Sequence, residues 1–282
     1  MTTYTDIKGE FQKVLEEIYS SREVDAIFYV LIDFLKQWTK VDYTLNKNEV
    51  ASKEDFQFLM NSLKTLAKGF PVQHIINRVD FYDMHLFVNE NVLVPRPETE
   101  ELVHLVYTQN KIKHPASIVD IGTGSGCIIL ALKKLFPKSS CVGVDNSSKA
   151  LNVARENASR LTLDISFFCT DILTEDFPID SCDIIISNPP YIPFSQMDSM
   201  PRNVVEYEPH QALFIEDETP LIFYDKIAKI GKKVLVPNGK IYFEIHEEFG
   251  DQVVHLLKSL GYENCKLGKD LQGKARFVSA IN

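Results

Sequence analysis

Hydrophobic residues in the first 70 positions repeat at helical spacing and do not alternate as they do in strands. Three apolar stripes, with intervals of three and four residues, cover positions 7–18, 24–35 and 56–66. Ser52 precedes the third stripe and is followed three residues later by an aspartate, a variant of the capping box that begins many helices. The pattern predicts a small helical bundle over residues 1–71, with the stripes forming its core.

The pattern changes over residues 72–95, where aromatic and β-branched residues dominate. The stretches VDFYDMHLFV and NVLVP are separated by NEN at residues 89–91, which has the composition of a turn. We therefore predict a β-hairpin that links the helical bundle to the rest of the chain. The sequence PRPETEELVHLV then begins a helix, with Pro97 in the first turn and Glu98 and Glu100 at its positive end.

From residue 96 to residue 282 apolar, strand-like runs alternate with helical stripes. The strand-like segments are SIVDIG, SCVGVD, ISFFCTD, CDIIISN and GKIYFEI, followed by two closing pieces within NCKLGKDLQGKARFVSAI. The helical segments are SGCIILALKKLF, SSKALNVARENASRL, TPLIFYDKIAKIGKKVL and EEFGDQVVHLLKSLGY. This alternation predicts an α/β domain with a mostly parallel, doubly wound sheet of the Rossmann-like type.

Composition narrows the class of protein without naming a function. The chain has 282 residues, of which 45% are hydrophobic and 24% charged, as in ordinary globular proteins. A net charge of -9 argues against stable nucleic-acid binding, because that binding depends on neutralising phosphates. The five cysteines are widely spaced without a C-x-x-C pair, which favours free thiols in a reducing compartment and no metal site. Without an apolar leader or a membrane-length stretch, we expect a cytoplasmic protein that has no membrane partner.

A glycine-rich turn stands where the first strand of the α/β domain meets a helix. The segment VDIGTGSGC has the spacing G-x-G-x-G, which differs from the G-x-G-x-x-G of dinucleotide-binding folds. Glycines allow the backbone to approach a ligand closely. Asp120 precedes this turn, and Asp145 ends the next strand, where a carboxylate can accept hydrogen bonds from both hydroxyls of a ribose. The turn itself, called the glycine loop below, comprises Gly122, Thr123, Gly124, Ser125 and Gly126.

The glycine loop with its two aspartates resembles the S-adenosylmethionine site of the Rossmann-like methyltransferases. The resemblance implies that the loop contacts the cofactor and that Asp120 reaches the methionine amino group, directly or through water. It also implies that Asp171 and Ile172, at the end of a later strand, lie beside the adenine, with Asn188 at the cofactor as well. For Asp171 the residues alone leave a second interpretation open, that of a polar turn residue or a helix cap.

The fourth strand ends in Asn188, Pro189, Pro190 and Tyr191, called the proline turn below. Proline has no backbone donor, so the Asn188 side-chain oxygen and the Pro189 carbonyl remain as two acceptors for one planar NH₂ group. Such acceptors can turn the nitrogen lone pair toward a methyl donor and stabilise the positive charge that develops on the nitrogen. Tyr191 offers a face for stacking. The turn predicts methylation of an amide or exocyclic amine, with Asn188, Pro189 and Tyr191 as catalytic residues and Pro190 as a further substrate contact.

The whole chain resembles the PrmC or HemK family of protein-glutamine methyltransferases, which modify peptide chain release factors. The resemblance rests on PVQHI, LVPRPETEELV, VDIGTGSGCIILAL, SNPPYIP, YEPHQAL and KDLQGKARFV, in this order. It implies methylation of the glutamine amide in a release factor's Gly-Gly-Gln loop, a step linked to translation termination. It further implies that Asn188 and the Pro189 carbonyl hold the amide, that Tyr191 packs on it, and that residues 206–213 border the substrate entrance. We expect a monomeric enzyme whose helical domain recognises the substrate.

Some features depart from the family pattern or leave alternatives. Asn77 stands where the family usually has glycine, and asparagine tolerates a left-handed backbone better than most residues. The joint EIHEEFGDQ is longer than usual, and the glutamates of PRPETE can serve either the helix start or a ligand. The remaining alternatives are glutamine methylation of a ribosomal protein, adenine methylation on a flipped base, and a non-catalytic binding module.

Overall fold

The computed structural model describes residues 1–282, and the chain forms two compact units. The first unit comprises Met1–Arg78 and Pro201–Tyr207, and the second comprises Val79–Met200 and Glu208–Asn282. None of the helices combines the length and the apolar character required to cross a bilayer.

The N-terminal part of the first unit is entirely helical, as the sequence predicts. Phe11, Phe28 and Leu59, from three different apolar stripes, are fully buried in its core. The stripes are broader than the core, because Val14 and Phe56 at their edges remain exposed. The helices are α1 (Tyr4–Leu15), α2 (Ser21–Lys36), α3 (Lys40–Asn46), α4 (Lys53–Leu66) and α5 (Val72–Ile76).

Local caps set the ends of these helices. The Ser52 hydroxyl accepts the backbone N–H of Asp55 at 3.0 Å, so the predicted start of α4 is confirmed. The short α3 is absent from the sequence prediction, although Thr39 and Asp42 form a reciprocal capping box at its start. Asn77 ends α5 with φ of 49°, the left-handed conformation that we expected asparagine to tolerate there.

The hairpin that follows is shorter than the predicted one and turns at a different place. Strand β1 (Val79–Phe81) pairs antiparallel with β2 (Met84–Leu86). The turn lies at Tyr82 and Asp83, which have φ of 47° and 56°. A turn does lie at residues 89–91, where the Val92 N–H donates to the Asn89 carbonyl at 3.2 Å, but it is not the turn of the hairpin, and the long strands predicted around it were wrong. The turn at Tyr82 and Asp83 was missed because a two-residue turn with positive φ normally contains asparagine or glycine, and neither is present there.

The second unit continues with α6 and an alternating series of strands and helices. Helix α6 begins at Pro97, as predicted. This helix spans Pro97–Asn110. The elements between it and the proline turn are β3 (Ser117–Ile121), α7 (Cys127–Leu135), β4 (Ser140–Asp145), α8 (Ser148–Arg160), β5 (Ser166–Cys169) and β6 (Cys182–Ser187). Beyond it come β7 (Ile192–Pro193), β8 (Phe214–Ile215), α10 (Ile222–Val234), β9 (Leu235–Glu244), α11 (Gly250–Ser259), β10 (Glu263–Lys269) and β11 (Ala275–Ile281). The helix α9 (Arg202–Tyr207) lies between β7 and β8 in the chain but belongs to the first unit.

Seven strands form the central sheet in the order β10-β11-β9-β6-β3-β4-β5. All of them run in one direction except β11, which is antiparallel to both of its neighbours. From β3 the chain moves outward through β4 to β5 and then returns to β6 on the other side of β3. Open α/β sheets bind ligands at such a switch point, outside the carboxyl ends of the strands. The predicted Rossmann-like fold is confirmed.

Apolar side chains cover both faces of this sheet. Ile118 and Ile184 pack on the face that carries α7, whereas Val119 and Ile185 pack on the face that carries α10 and α11. Because neighbouring residues of one strand point to opposite faces, burial on both faces explains the continuous apolar runs in the sequence. The sheet is thus a rigid support for whatever lies at its carboxyl edge.

Candidate active site

A cleft with a volume of about 120 Å³ lies at the carboxyl edge of the sheet, where β3, β4 and β6 end. Eight residues predicted for the site line it: Gly122, Gly124, Asp145, Asp171, Ile172, Asn188, Pro189 and Pro190. The other predicted residues, Asp120, Thr123, Ser125, Gly126 and Tyr191, are not part of this lining; the first four are buried and Tyr191 is half-buried. The lining also includes residues that were not predicted for the site, namely Asn91, Val92 and Leu93 before α6 and Phe223 and Ile227 of α10.

The three glycines of the glycine loop have a backbone conformation that residues with a side chain rarely adopt. Gly122, Gly124 and Gly126 have φ of 75°, 54° and 82°. At Gly126 a Cβ atom would also lie 3.1 Å from Leu130 Cδ1 and 3.3 Å from the Ala154 side chain. Glycine at this position is therefore required twice, by its conformation and by the close packing of α7 against α8.

Asp120 is fully buried beneath the glycine loop. Its Oδ2 accepts the Thr123 hydroxyl at 2.6 Å, whereas its buried Oδ1 has no hydrogen-bond partner in the protein. Burial raises the pKa of Asp120 to about 7; the Thr123 hydrogen bond opposes this rise and the charge of Asp145 adds to it. A buried acceptor without a partner is costly, and a cationic donor would satisfy it. The amino group of an S-adenosylmethionine is such a donor, so the residue fits the cofactor implied by the sequence.

Asp145 is held by two backbone donors at the end of β4. Its Oδ2 accepts the Gly124 N–H at 2.9 Å, and its Oδ1 accepts the Ser147 N–H at the same distance. Burial raises the pKa of Asp145, and these hydrogen bonds oppose that rise. Each carboxylate oxygen keeps a further lone pair, so the fixed carboxylate can still accept hydrogen bonds from a ligand in the cleft.

The Asp171 side chain is engaged in its own turn. Its Oδ1 accepts the Leu173 N–H at 3.0 Å, and its Oδ2 accepts the Thr174 hydroxyl at 2.9 Å. These contacts match the second interpretation that the sequence left open, a polar turn residue. Asp171 and Ile172 also line the cleft, so the contact of this segment with adenine stays a prediction.

The proline turn is held from behind by two side chains far away in the sequence. The Asn188 amide nitrogen donates to Thr99 Oγ1 at 3.2 Å, and the Thr99 hydroxyl donates to Glu244 Oε2 at 2.7 Å. The Tyr191 hydroxyl donates to the other oxygen, Oε1, of the same carboxylate at 3.2 Å. One carboxylate therefore receives hydrogen bonds that fix both ends of the turn.

Glu244 is buried in an otherwise apolar strand end. Burial raises its pKa to about 7, and the opposing influences are the Thr99 hydrogen bond, the charge of Arg276 and the Tyr191 hydrogen bond. Neither Thr99 nor Glu244 was predicted as a site residue. The available signal was the lone carboxylate in KIYFEI, because a charged residue within a buried strand is rare without a partner. Thr99 had no such signal, since PRPETE reads as a helix start.

A second buried carboxylate fixes the segment YEPHQAL beside the cleft. Glu208 accepts the Val94 N–H at 3.1 Å through Oε2 and the Arg96 guanidinium at 2.5 Å through Oε1. Pro209, Gln211 and Ala212, which follow it, line the cleft. The predicted segment 206–213 is divided, because Glu206 and its neighbour at position 207 belong to the first unit.

Comparison with known proteins gives the family. Residues 9–76 match the PrmC N-terminal domain and residues 100–206 match the methyltransferase small domain. A release factor glutamine methyltransferase of Flavobacterium psychrophilum is 38% identical, with 96% of each chain covered. The same-named protein of Bacteroides thetaiotaomicron is 35% identical, covering 97% of this chain and 98% of that one. The chain belongs to this family of methyltransferases.

The family membership confirms the resemblance inferred from the motifs, and with it S-adenosylmethionine as the cofactor. A further relative of the same name, from Streptococcus pneumoniae, is 41% identical over 93% of each chain. A methyltransferase structure from Pyrococcus furiosus superimposes with a TM-score of 0.53 at 16% identity, covering 82% of this chain and 98% of that one. That similarity supports the fold alone.

Proposed function

We propose that this enzyme methylates the side-chain amide nitrogen of the glutamine in the Gly-Gly-Gln loop of peptide chain release factors. The names of its relatives, which are 35–41% identical over nearly the whole chain, support the substrate. The observation that carries the chemistry is the orientation of Asn188. Its amide nitrogen is bound to Thr99, so its oxygen is left to accept a hydrogen bond from a substrate amide.

One side of the site would bind the methyl donor through hydrogen-bond acceptors that the protein holds in place. S-adenosylmethionine, when bound, supplies a methyl group attached to a positively charged sulfur. Asp120 Oδ1 would accept a hydrogen bond from its amino group, and Asp145 from its ribose hydroxyls. Asp171 and Ile172 would border the adenine. Thr123 and Ser125 would act through their backbone, because the Thr123 hydroxyl is engaged with Asp120 and Ser125 is buried.

The acceptor side orients a poor nucleophile. Asn188 Oδ1 and the Pro189 carbonyl would accept the two N–H groups of the glutamine amide, which turns the nitrogen lone pair toward the methyl group. The amide nitrogen would gain positive charge as it accepts the methyl group, and the proton that it then gives up would pass to water. Each acceptor would stabilise that charge by about 2–4 kcal/mol. Pro190 keeps the turn rigid, and Tyr191 would pack beside the amide with its hydroxyl fixed by Glu244.

The surroundings of the reaction follow from the same proposal. The helical region, residues 1–71, would recognise the release factor, and the segment after Glu208 would border the entrance for its loop. We also propose that the enzyme acts as a cytoplasmic monomer without a stable nucleic-acid or membrane partner. The net negative charge of the chain supports the absence of a stable nucleic-acid partner.

One experiment tests the substrate. The protein is incubated with radiolabelled S-adenosylmethionine and, separately, with purified release factor, ribosomal proteins or DNA, and the labelled residue is mapped by mass spectrometry. We expect one methyl group on the glutamine of the Gly-Gly-Gln loop and none on a release factor in which that glutamine is alanine. Label on a ribosomal protein or on DNA, with none on the release factor, would contradict the proposal.

A further inference from the structure

We infer that Thr99 and Glu244 are positioning residues that force Asn188 to present its amide oxygen, rather than its NH₂ group, to the substrate. The inference rests on the proposed function, because only an NH₂ substrate requires an oxygen at this place. Neither residue touches the cleft, so both act through Asn188.

The direction of the hydrogen bonds carries the argument. A threonine hydroxyl has a single proton, and here that proton goes to Glu244 Oε2 at 2.7 Å, the shorter of the two contacts. The Thr99 oxygen must then accept from Asn188, and only the amide nitrogen of Asn188 can donate. An asparagine whose nitrogen is bound on one side presents its oxygen on the other.

The hydrogen bonds from Asn188 to Thr99 and from Thr99 to Glu244 are called the relay below. Their direction depends on the charge of Glu244. An ionised carboxylate has no proton and can only accept, from Thr99 and from Tyr191. A protonated carboxyl group can instead donate to Thr99, whose own proton is then free to bind Asn188. Asn188 would accept it through its oxygen and turn its NH₂ group to the cleft. Two NH₂ groups facing each other repel, and the substrate amide would lose its acceptor.

The polar and titratable groups around Glu244 come from five elements. The Tyr224 hydroxyl contacts the backbone carbonyl of Glu244 at 3.2 Å and leaves its carboxylate to Thr99 and Tyr191. Arg276 favours the ionised carboxylate, and Glu98 opposes it. By element, the groups are Glu98 and Thr99 of α6, Cys127 of α7, Tyr191 of the proline turn, Tyr224 of α10 and Arg276 of β11.

The first test removes the hydroxyl of the relay. Thr99→Val keeps the shape of the side chain, and we expect turnover to fall by about tenfold or more while cofactor affinity, measured by calorimetry, changes by less than about twofold. Thr99→Ser restores the hydroxyl and should recover most of the turnover. Thr108→Val, on the same helix but exposed and bonded only to backbone carbonyls, is the matched control and should leave both quantities unchanged. Full turnover in Thr99→Val would overturn the inference.

The second test follows turnover against pH at saturating cofactor. Burial raises the pKa of Glu244 to about 7, so wild-type turnover should rise as the pH increases through 7 and Glu244 ionises. Glu244→Gln cannot ionise, so its turnover should lose this dependence on pH. Asp120 titrates in the same range, but its ionisation would change cofactor affinity, and saturating cofactor suppresses that contribution. An unchanged pH profile in Glu244→Gln would refute the relay.

A third readout requires no activity. The folded pKa of Glu244, about 7, lies above its ordinary value of 4.5, so the folded state binds the proton more tightly. Stability from this group is present below pH 4.5 and is lost as the pH rises through 7. The urea midpoint of the wild type should fall over this range while its turnover rises, and Glu244→Gln should lessen that fall, because other buried carboxylates with a raised pKa, Asp120 and Asp145, contribute as well. A group with only a structural role would change the midpoint and leave the turnover profile alone.

The two proposals fail in different ways. If the wild type does not methylate the release factor at any pH, the proposed function is wrong and the relay has no substrate to orient. If the wild type is active and the Thr99 and Glu244 variants match it, the function stands and the relay is wrong.

Discussion

The two halves of the candidate site are each held in place by a different kind of contact. The donor half, which would bind the methyl donor, consists of the glycine loop with Asp120, Asp145 and the segment at Asp171. Its hydrogen bonds join residues near the ends of β3, β4 and β5, which follow one another in the chain. The acceptor half, the proline turn, is fixed by Thr99 and Glu244, which come from α6 and β9. The first half is local in the sequence, and the second is assembled by the fold.

This difference has a chemical reason. The donor half uses backbone groups and carboxylates at the switch point of the sheet, where neighbouring strands deliver them together. The acceptor half must distinguish an oxygen from an NH₂ group on one side chain, and a backbone alone does not fix that choice for Asn188. Side chains from other elements supply the missing constraint. We therefore expect variants of the two halves to affect different kinetic quantities.

The largest effect should follow the loss of the acceptor itself. Asn188→Ala removes the amide oxygen, and we expect turnover to fall by about a hundredfold or more, the loss typical of one preorganised hydrogen-bonding group. Cofactor affinity should remain close to that of the wild type, because Asp120 and Asp145 are untouched. Single-turnover kinetics and calorimetry separate the two quantities. Turnover comparable to the wild type would sink the role assigned to Asn188 and the comparison of the two halves with it.

The sequence predicts the donor half better than the acceptor half for the same reason. Gly124 and Asp145 lie 21 positions apart and are readable as a motif, and the structure joins them by a hydrogen bond of 2.9 Å. Asn188 and Thr99 are 89 positions apart, and Thr99 and Glu244 are 145 apart. No periodicity or spacing brings such residues together; only the sheet order does. The hairpin turn at residues 82–83 was missed for another reason, its unusual composition.

The next effect should appear in cofactor affinity. Asp145→Ala removes the carboxylate that faces the cleft, and we expect the dissociation constant for S-adenosylmethionine to rise by about ten- to a hundredfold, as for the loss of hydrogen bonds to a charged group. Turnover at saturating cofactor should stay within about threefold of the wild type. If turnover at saturation fell instead, the ribose assignment would be wrong and the two halves would not be separable.

A smaller effect should follow the release of the segment beside the cleft. Glu208→Gln removes the charge paired with Arg96, whose side chain is 36% exposed, so the loss is smaller than for a fully buried pair. We expect the free energy of unfolding to fall by about 1–3 kcal/mol and the KM for the release factor to rise several-fold. Glu206→Gln, which breaks an exposed pair with Arg202, is the control and should change both little. Equal effects from the two variants would show that the buried position of Glu208 is irrelevant.

The smallest effect on cofactor binding is expected at Asp171. This variant tests whether the Asp171 side chain belongs to the donor half as a direct ligand. Both of its carboxylate oxygens accept hydrogen bonds from its own turn, and the adenine contact would come from the shape of the segment. Asp171→Ala should lower the free energy of unfolding by about 0.5–2 kcal/mol, the range for a lost side-chain cap, and weaken cofactor binding by less than about threefold. Calorimetry and urea unfolding measure the two. A weakening as large as that of Asp145→Ala would instead make Asp171 a direct ligand, because the loss of a turn contact alone cannot produce it.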